Sequence, residues 1–272
     1  MSAPFPATLP SGPPPLGQLI AGFAVLAGGL ALLTPRRGHG PLRSARGTTR
    51  VLAYVVVYAL TTLCFMRVLA PALLGTASSP WLMALGDVLC VTLGLFVWVV
   101  VLAERHPMSD YGLHGAAPAR LALAIVMGLG SVLVASFGAW QQLLTRGATL
   151  NSDAISFAIA FAVLGSALPD EMLFRGLLMT SLEGRSTRWW RVAGPALIFT
   201  AVRSLRFLPG QEMSLQMWLA WVLGTVLPLG LWWGLMRDLA GGSMWPGLVS
   251  HVLIEFATLA AGPARYGNPF AH

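Results

Sequence analysis

The chain has no lysine, only two cysteines and little charge of either sign: 10% of its 272 residues are charged. A soluble domain carries about 25% charged residues, so this composition excludes both an ordinary soluble globule and a disordered chain. Cys64 and Cys90 fall inside apolar runs. That leaves no disulfide framework and no zinc-type cysteine cluster, and both read as small apolar fillers. CxxC, GxSxG, HExxH and a Gly-rich phosphate loop are all missing, as is any internal repeat. Without lysine, all 17 basic residues are Arg; set against 10 acidic residues they give a net charge of +7. In a soluble protein such a balance would suggest nucleic acid. Here the Arg residues sit mostly in short loops between apolar runs, a topogenic pattern and not a phosphate-binding face. Nucleic acid is therefore not expected as a partner.

What the chain does have is apolar length. Hydrophobic residues make up 56%, with 10 Trp, 12 Phe, 30 Gly and 19 Pro. Gly and Pro are tolerated inside membrane helices and Trp collects at the interfaces, so the expected class is an all-α, polytopic membrane helix bundle. Residues 1–16 form a Pro-rich tail, and residues 263–272 a C-terminal one. Between them, 17–262 reads as one transmembrane domain. Its first apolar run, 17–34, has no basic stretch before it and no cleavage signal at its end, and is expected to be an uncleaved span. Further spans are expected at about 51–75, 81–103, 121–145, 154–182, 189–206, 215–236 and 243–262, making eight. Arg36, Arg37, Arg43, Arg46, Arg50, Arg105, Arg120, Arg185, Arg188, Arg191 and Arg237 lie on one side of this arrangement. Arg146, Arg206 and Arg265 lie on the other. This bias puts the Arg-rich loops in the cytoplasm and both termini outside.

With no soluble catalytic segment, any chemistry has to occur within the bundle. Arg67, Asp87, Asp170, Glu171, Arg175, Arg203, His251 and Glu255 fall at membrane depth. A charge at mid-bilayer costs about 2.5–3.5 kcal/mol on insertion scales, so such groups face a bundle interior and are paired. Arg67 and Asp87 belong to no cluster and read as structural ion-pair members. The segment LPDEMLFRG (168–176) is different. Pro169 leaves a carbonyl one turn upstream without its donor, opening the helix. Glu171 and Arg175 are four apart and share a face, which suits an ion pair. Asp170 points away from that pair and is expected to lack a neutralising Arg, a setting that favours a proton acceptor. His251 and Glu255 are also four apart on the last span, so the carboxylate can orient the ring or share a metal. Arg203 needs an acidic partner at depth, with Glu255 and Asp170 the candidates. At ~1.5 Å per residue, Glu171 and Arg203 lie roughly 18 Å from the cytoplasmic end and His251 roughly 13 Å. Three helices thus bring polar groups to a similar depth.

These residues resemble a known family. DEMLFR (170–175) is similar to the EExxxR signature of the CPBP group, the CAAX-protease and bacteriocin-processing (Abi) intramembrane proteases. PALIFTAVR (195–203) is similar to its FxxxH helix, and GLWWGLMRDLAGGSMWPGLVSHVLIE (230–255) to its last segment, which ends in HxxxN. The three elements occur in the family's order across 165–256, within the core 154–262. YGLHG (111–115) is a weaker echo ahead of them. The resemblance implies that Asp170 activates a water with Glu171 and Arg175 in support. It implies that His251 stabilises the oxyanion or binds the water or a metal, glutamic and metallo mechanisms both being open. It further implies an integral, multi-pass protein of a bacterial inner (cytoplasmic) membrane. The expected partners are the lipid bilayer and a membrane-associated or lipid-anchored polypeptide, cut in C-terminal processing, sorting or peptide maturation.

Three positions depart from the pattern: Asp170 for Glu, Arg203 for the FxxxH histidine and Glu255 for Asn. A guanidinium neither accepts a proton nor ligates a metal, so no cofactor is assigned and zinc is disfavoured, while a weaker oxygen-rich divalent-metal site on Asp170, Glu171 and Glu255 stays open. Arg203 and Glu255 together can form a bidentate ion pair in place of a neutral His/Asn pair. Two readings follow: a protease in which Arg203 is a fixed oxyanion donor, or a catalytically silent relative that binds or regulates a membrane partner. A third, a proton-coupled transporter using Asp87 and Arg67, is weakened by the absence of an inverted repeat.

Overall fold

A computed structural model describes residues 40–64, 96–97, 99–101, 103–115, 117–146, 159, 161–205 and 214–261. Six helices organise them: α1 (Ala45–Cys64), α2 (Pro118–Arg146), α3 (161–181), α4 (Arg188–Ser204), α5 (Leu215–Leu239) and α6 (Trp245–Ala261). Residues 96–97, 99–101 and 103–104 are also helical, at the C-terminal end of the span expected at 81–103. No strand occurs among the described residues. The helices fall close to the apolar runs expected from 121 onward, whereas the run at 17–34, Arg67, Asp87 and Cys90 lie outside the described residues.

The bundle is built around α3. Every residue from Pro169 to Ser181 is buried, including two acids and an Arg. α1, α4 and α6 pack on it, while α2 and α5 complete the outer layer against α6 and α4. The helix runs through two wide π-type stretches, Phe161–Ala167 and Glu171–Leu178, with Pro169 in the α-turn between them. Proline lacks the donor that would hold the tighter ladder, and such widened turns are common at functional sites. α4 starts at Thr187 and α5 at Ser214, whose side chains accept the backbone N–H groups of Trp190 and Met217. Each satisfies one orphan donor of its helix.

Polarity is arranged inside out. α2 turns Val126, Leu129, Leu133, Val134 and Phe137 outward, and α5 turns out Leu219, Leu223, Leu231 and Trp232. Pro118–Gln141 and Leu215–Leu239 are both long and apolar enough to cross a membrane. The Arg-rich loops, in contrast, meet at one end. Arg43 bridges Asp110 and Glu183, Arg237 reaches Glu183 and Thr180, Arg188 and Arg191 share Asp238, and Arg50 pairs with Glu104. The residues expected on the cytoplasmic side therefore interlock across four loops.

The 105–117 loop is clamped onto this end. Gly112, at φ +78°, accepts the N–H of Met244, and the α5–α6 turn passes through Gly241 and Gly242 at φ +70° and +95°. These positive φ values are ones L side chains rarely adopt. Tyr111 is buried, its hydroxyl donates to the Val101 carbonyl, and burial pushes its phenol up to about 12. Gly176 of α3 lies so close that a Cβ there would be 2.6 Å from the Tyr111 carbonyl oxygen. Because that contact is backbone, the clash cannot be relieved by a rotamer. Gly176→Ala is expected to lower stability by about 1–3 kcal/mol. Thermal unfolding in detergent measures it, and an unchanged midpoint would mean the loop is not seated on α3.

Candidate active site

The polar residues of α3, α4 and α6 form one continuous buried cluster. Arg203, arriving on α4, donates Nη1 to Asp170 Oδ2 at 3.0 Å and to Ser166 Oγ at 2.6 Å. Its Nη2 pairs with Glu255 Oε1 on α6. Arg203 is therefore bound to both of the acids considered as partners, and the two swapped family positions do form an ion pair. The expectation that Asp170 lacks a neutralising Arg is corrected by this contact. The pairing within one helix considered only Arg175, but the crossing of α4 over α3 brings a second guanidinium to Asp170.

Asp170 has a further partner. Tyr58 of α1, fully buried, donates its hydroxyl to Asp170 Oδ1 at 2.7 Å. Tyr58, Ser166 and Trp233 were not singled out from the sequence. For Tyr58 a signal exists: Tyr54 and Tyr58 are four apart in an otherwise apolar run, and a buried phenol needs a partner. Tyr54 finds Glu104 at 2.8 Å and Tyr58 finds Asp170.

Glu171 lies on the other side of the cluster. Its Oε1 is 3.4 Å from Arg175 Nη1 and 3.2 Å from His251 Nδ1. Arg175 also donates to the Gly230 carbonyl at 2.9 Å, and its guanidinium lies 4.4 Å from the centre of the Phe199 ring. His251 stacks on Trp233 with centroids 3.9 Å apart and planes inclined by 19°, while Phe199 meets the imidazole edge-on. Trp233 is itself fixed by donating to Ser250 Oγ at 3.1 Å. His251 Nε2 faces Glu255 at 3.6 Å, beyond hydrogen-bond length. All six residues named from the sequence thus lie in one cluster, in contact order Asp170, Arg203, Glu255, His251, Glu171, Arg175. Its outer rim is at Arg203 and Glu255, whose side chains are 11% and 16% exposed.

Residues 152–257, which span α3, α4, α5 and most of α6, match the family profile described as Type II CAAX prenyl endopeptidase Rce1-like. This segment is similar to that family's domain. It is consistent with a member of the CPBP group, and it supports a function of the CPBP protease kind. The matched segment contains every cluster residue except Tyr58, which α1 supplies from outside it. No curated protein and no solved structure matches the chain.

The donor set does not suit a metal. One imidazole is present, its Nδ1 is directed at Glu171, and the second His position of the family pattern is a guanidinium. No group of three or more His, Cys, Asp or Glu side chains arranged to hold a metal occurs among the described residues. Zinc sites take three or more such ligands.

Proposed function

We propose that the chain is a multi-pass intramembrane endopeptidase of the CPBP kind, in a bacterial inner membrane, acting on a membrane-associated or lipid-anchored polypeptide. The observation that carries this reading is the convergence of Asp170, Glu171, Arg175, Arg203, His251 and Glu255 from three helices of the matched segment. Peptide hydrolysis needs a carboxylate to take a proton from water and fixed donors where the oxyanion develops. The adjacent acids supply the first. Arg203, permanently charged and held on both sides, and His251, fixed by Trp233, supply the second. No step is assigned to a metal.

A second reading is favoured by Arg203 itself. A guanidinium bound to two carboxylates occupies the centre of the cluster, as a catalytically silent, partner-binding relative would allow. Reconstituted protein offered an internally quenched, prenylated CAAX peptide in liposomes separates the two. The expected result is a single internal cut that persists in chelator and is lost in Asp170→Ala and His251→Ala. Peptide that binds and is never cut would establish the silent reading. Loss of cleavage on chelation would show that a metal takes part.

A further inference from the structure

We propose that the cleft between α2 and α6 binds one anionic phospholipid from the leaflet at the Arg-rich end, with an acyl chain laid along the cleft and the phosphate on Arg120. The site is separate from the buried cluster and does not depend on the endopeptidase reading.

The cleft has the lining and the length of such a chain. It holds about 250 Å³ between Ile125, Leu129 and Val132 of α2 and Trp245, Val249 and Leu253 of α6. Ile125, Leu129, Trp245 and Val249 are each about half exposed, so the cleft opens outward from the bundle. Behind it the helices close up at Gly128, where a Cβ would be 3.5 Å from the Pro246 carbonyl oxygen. At its floor the Ser250 hydroxyl is already bonded to Ser131 Oγ at 2.6 Å and to Trp233 Nε1 at 3.1 Å, which leaves an apolar surface for the occupant. Counted from Leu121 to Val132 and from Trp245 to Leu253, the cleft runs ~12–17 Å at ~1.5 Å per residue. The hydrocarbon of one leaflet is about 15 Å deep, half of a core of about 30 Å. One acyl chain fits that length, whereas a partner's spanning helix would overshoot it.

The cleft also ends beside a cation that the protein leaves uncompensated. Arg43, Arg50, Arg188, Arg191 and Arg237 each pair with an acid at this end. Arg120, one residue before Leu121, is exposed and makes no ion pair among the described residues. Its guanidinium lies against the α5–α6 turn, where a Cβ on Gly241 would be 3.5 Å from Nη1. His114 holds the same turn, with Nε2 at 3.3 Å from the Gly241 carbonyl oxygen, and the turn leads into Trp245. Arg120 therefore stands at the mouth of the cleft. Basic pockets between membrane helices select anionic headgroups, and tryptophan sits at headgroup level. Charge and apolar length together specify a phospholipid of net negative charge.

A substrate's lipid anchor does not suit this place. Gly247, His251 and Glu255 face the cluster, whereas Val249 and Leu253 lie ~200° around α6 from His251. A polypeptide tethered to a chain in the cleft would leave at Arg120, on the other face of α6 from the rim at Arg203 and Glu255. The bound lipid instead backs the site. Ser250 at the floor holds Trp233, and Trp233 stacks on His251. Filling the cleft steadies the seam on which that stack is built.

The test uses the full chain in phosphatidylcholine vesicles doped with phosphatidylglycerol that carries a photoreactive diazirine in its acyl chain. Peptide mapping after illumination is expected to place label on 121–132 and 245–253, above that on the outward Leu219 and Leu223 of α5. Unlabelled phosphatidylglycerol should compete, and added phosphatidylcholine should not. Arg120→Gln is expected to weaken that competition about fivefold, the worth of one Arg near an anionic surface. Val249→Trp fills the cleft, keeps Arg120 and is expected to remove the label from both helices. Should that variant fail to fold, the wild-type competition and Arg120→Gln decide. Label spread evenly over α2, α5 and α6, or indifferent to headgroup charge and to Arg120→Gln, would overturn the proposal. A cleft that stays unlabelled because a segment of the chain covers it would overturn it too. So would displacement of the phosphatidylglycerol by an equimolar prenylated CAAX peptide, which would make the cleft a seat for a substrate anchor.

Discussion

Replacing Arg203 with alanine is expected to destabilise the bundle by roughly 3–5 kcal/mol, the scale on which breaking a buried ion pair is costly. The loss should be large because one guanidinium satisfies three partners: Asp170, Ser166 and Glu255. Its removal places two carboxylates in the interior with no shared cation. Glu255→Asn should cost less, because Arg203 keeps its 3.0 Å contact with Asp170. Arg203→His falls between, since a neutral imidazole has one N–H to donate where the guanidinium engages two carboxylates and a hydroxyl. Making both family substitutions together, Arg203→His with Glu255→Asn, should recover part of the Arg203→His loss. The coupling energy should fall within about 0.5–3 kcal/mol for residues in contact. Unfolding of the two single variants and the double in detergent gives the cycle. Simple additivity would mean that Glu255 does not share Arg203 with Asp170.

The asymmetry of that cycle marks where sequence reading stopped. From residue spacing alone, Glu171 and Arg175 were legible as partners because a helix places i and i+4 on one face, and they do lie 3.4 Å apart. His251 and Glu255 were legible on the same rule. The shared depth of α3, α4 and α6 was legible from counting residues into apolar runs. Crossing geometry was not. Which acid Arg203 meets depends on the angle at which α4 passes α3, and no local period encodes that. It turns out to meet both, which is why Asp170 is neutralised after all. Nor does local pattern join Glu171 to His251, separated by 80 positions in the chain. Tyr58 was hidden for another reason: an apolar run scores as a span whether or not the hydroxyl of a tyrosine within it has an acid to meet. The widened turns of α3 were half legible, since Pro169 announced a broken ladder but not that π-type stretches would flank it. The eight-span count rests on apolar runs that extend beyond the described residues, and the described helices bear only on those from 51 onward.

Arg175→Leu is expected to cost as much as the loss of Arg203, about 3–5 kcal/mol, because Glu171 is fully buried and would lose its cation. The conservative change is more informative. Arg175→Lys keeps the charge, and a purely Coulombic role for Arg175 would make it nearly silent. The geometry says otherwise. The guanidinium lies 4.4 Å from the Phe199 ring centre, donates to the Gly230 carbonyl at 2.9 Å and faces Glu171, three directions at once. A planar fork serves several directions together, whereas an ammonium is a compact, strongly hydrated point charge that is costly to bury. Cation–π contact in a desolvated setting contributes about 2 kcal/mol, and a hydrogen bond to a charged group about 1.5–3 kcal/mol. Lysine can retain part of each, so Arg175→Lys is expected to lose about 2–3 kcal/mol. Adding Phe199→Leu to the Arg175→Lys variant then removes little more, whereas in the wild type it removes the full ring contact. Unfolding midpoints of the four proteins measure this. Equal Phe199→Leu losses in both backgrounds would show that Arg175 acts by charge alone. In that case the Phe199 ring packs against His251 and Trp233 without helping to hold the arginine that faces Glu171.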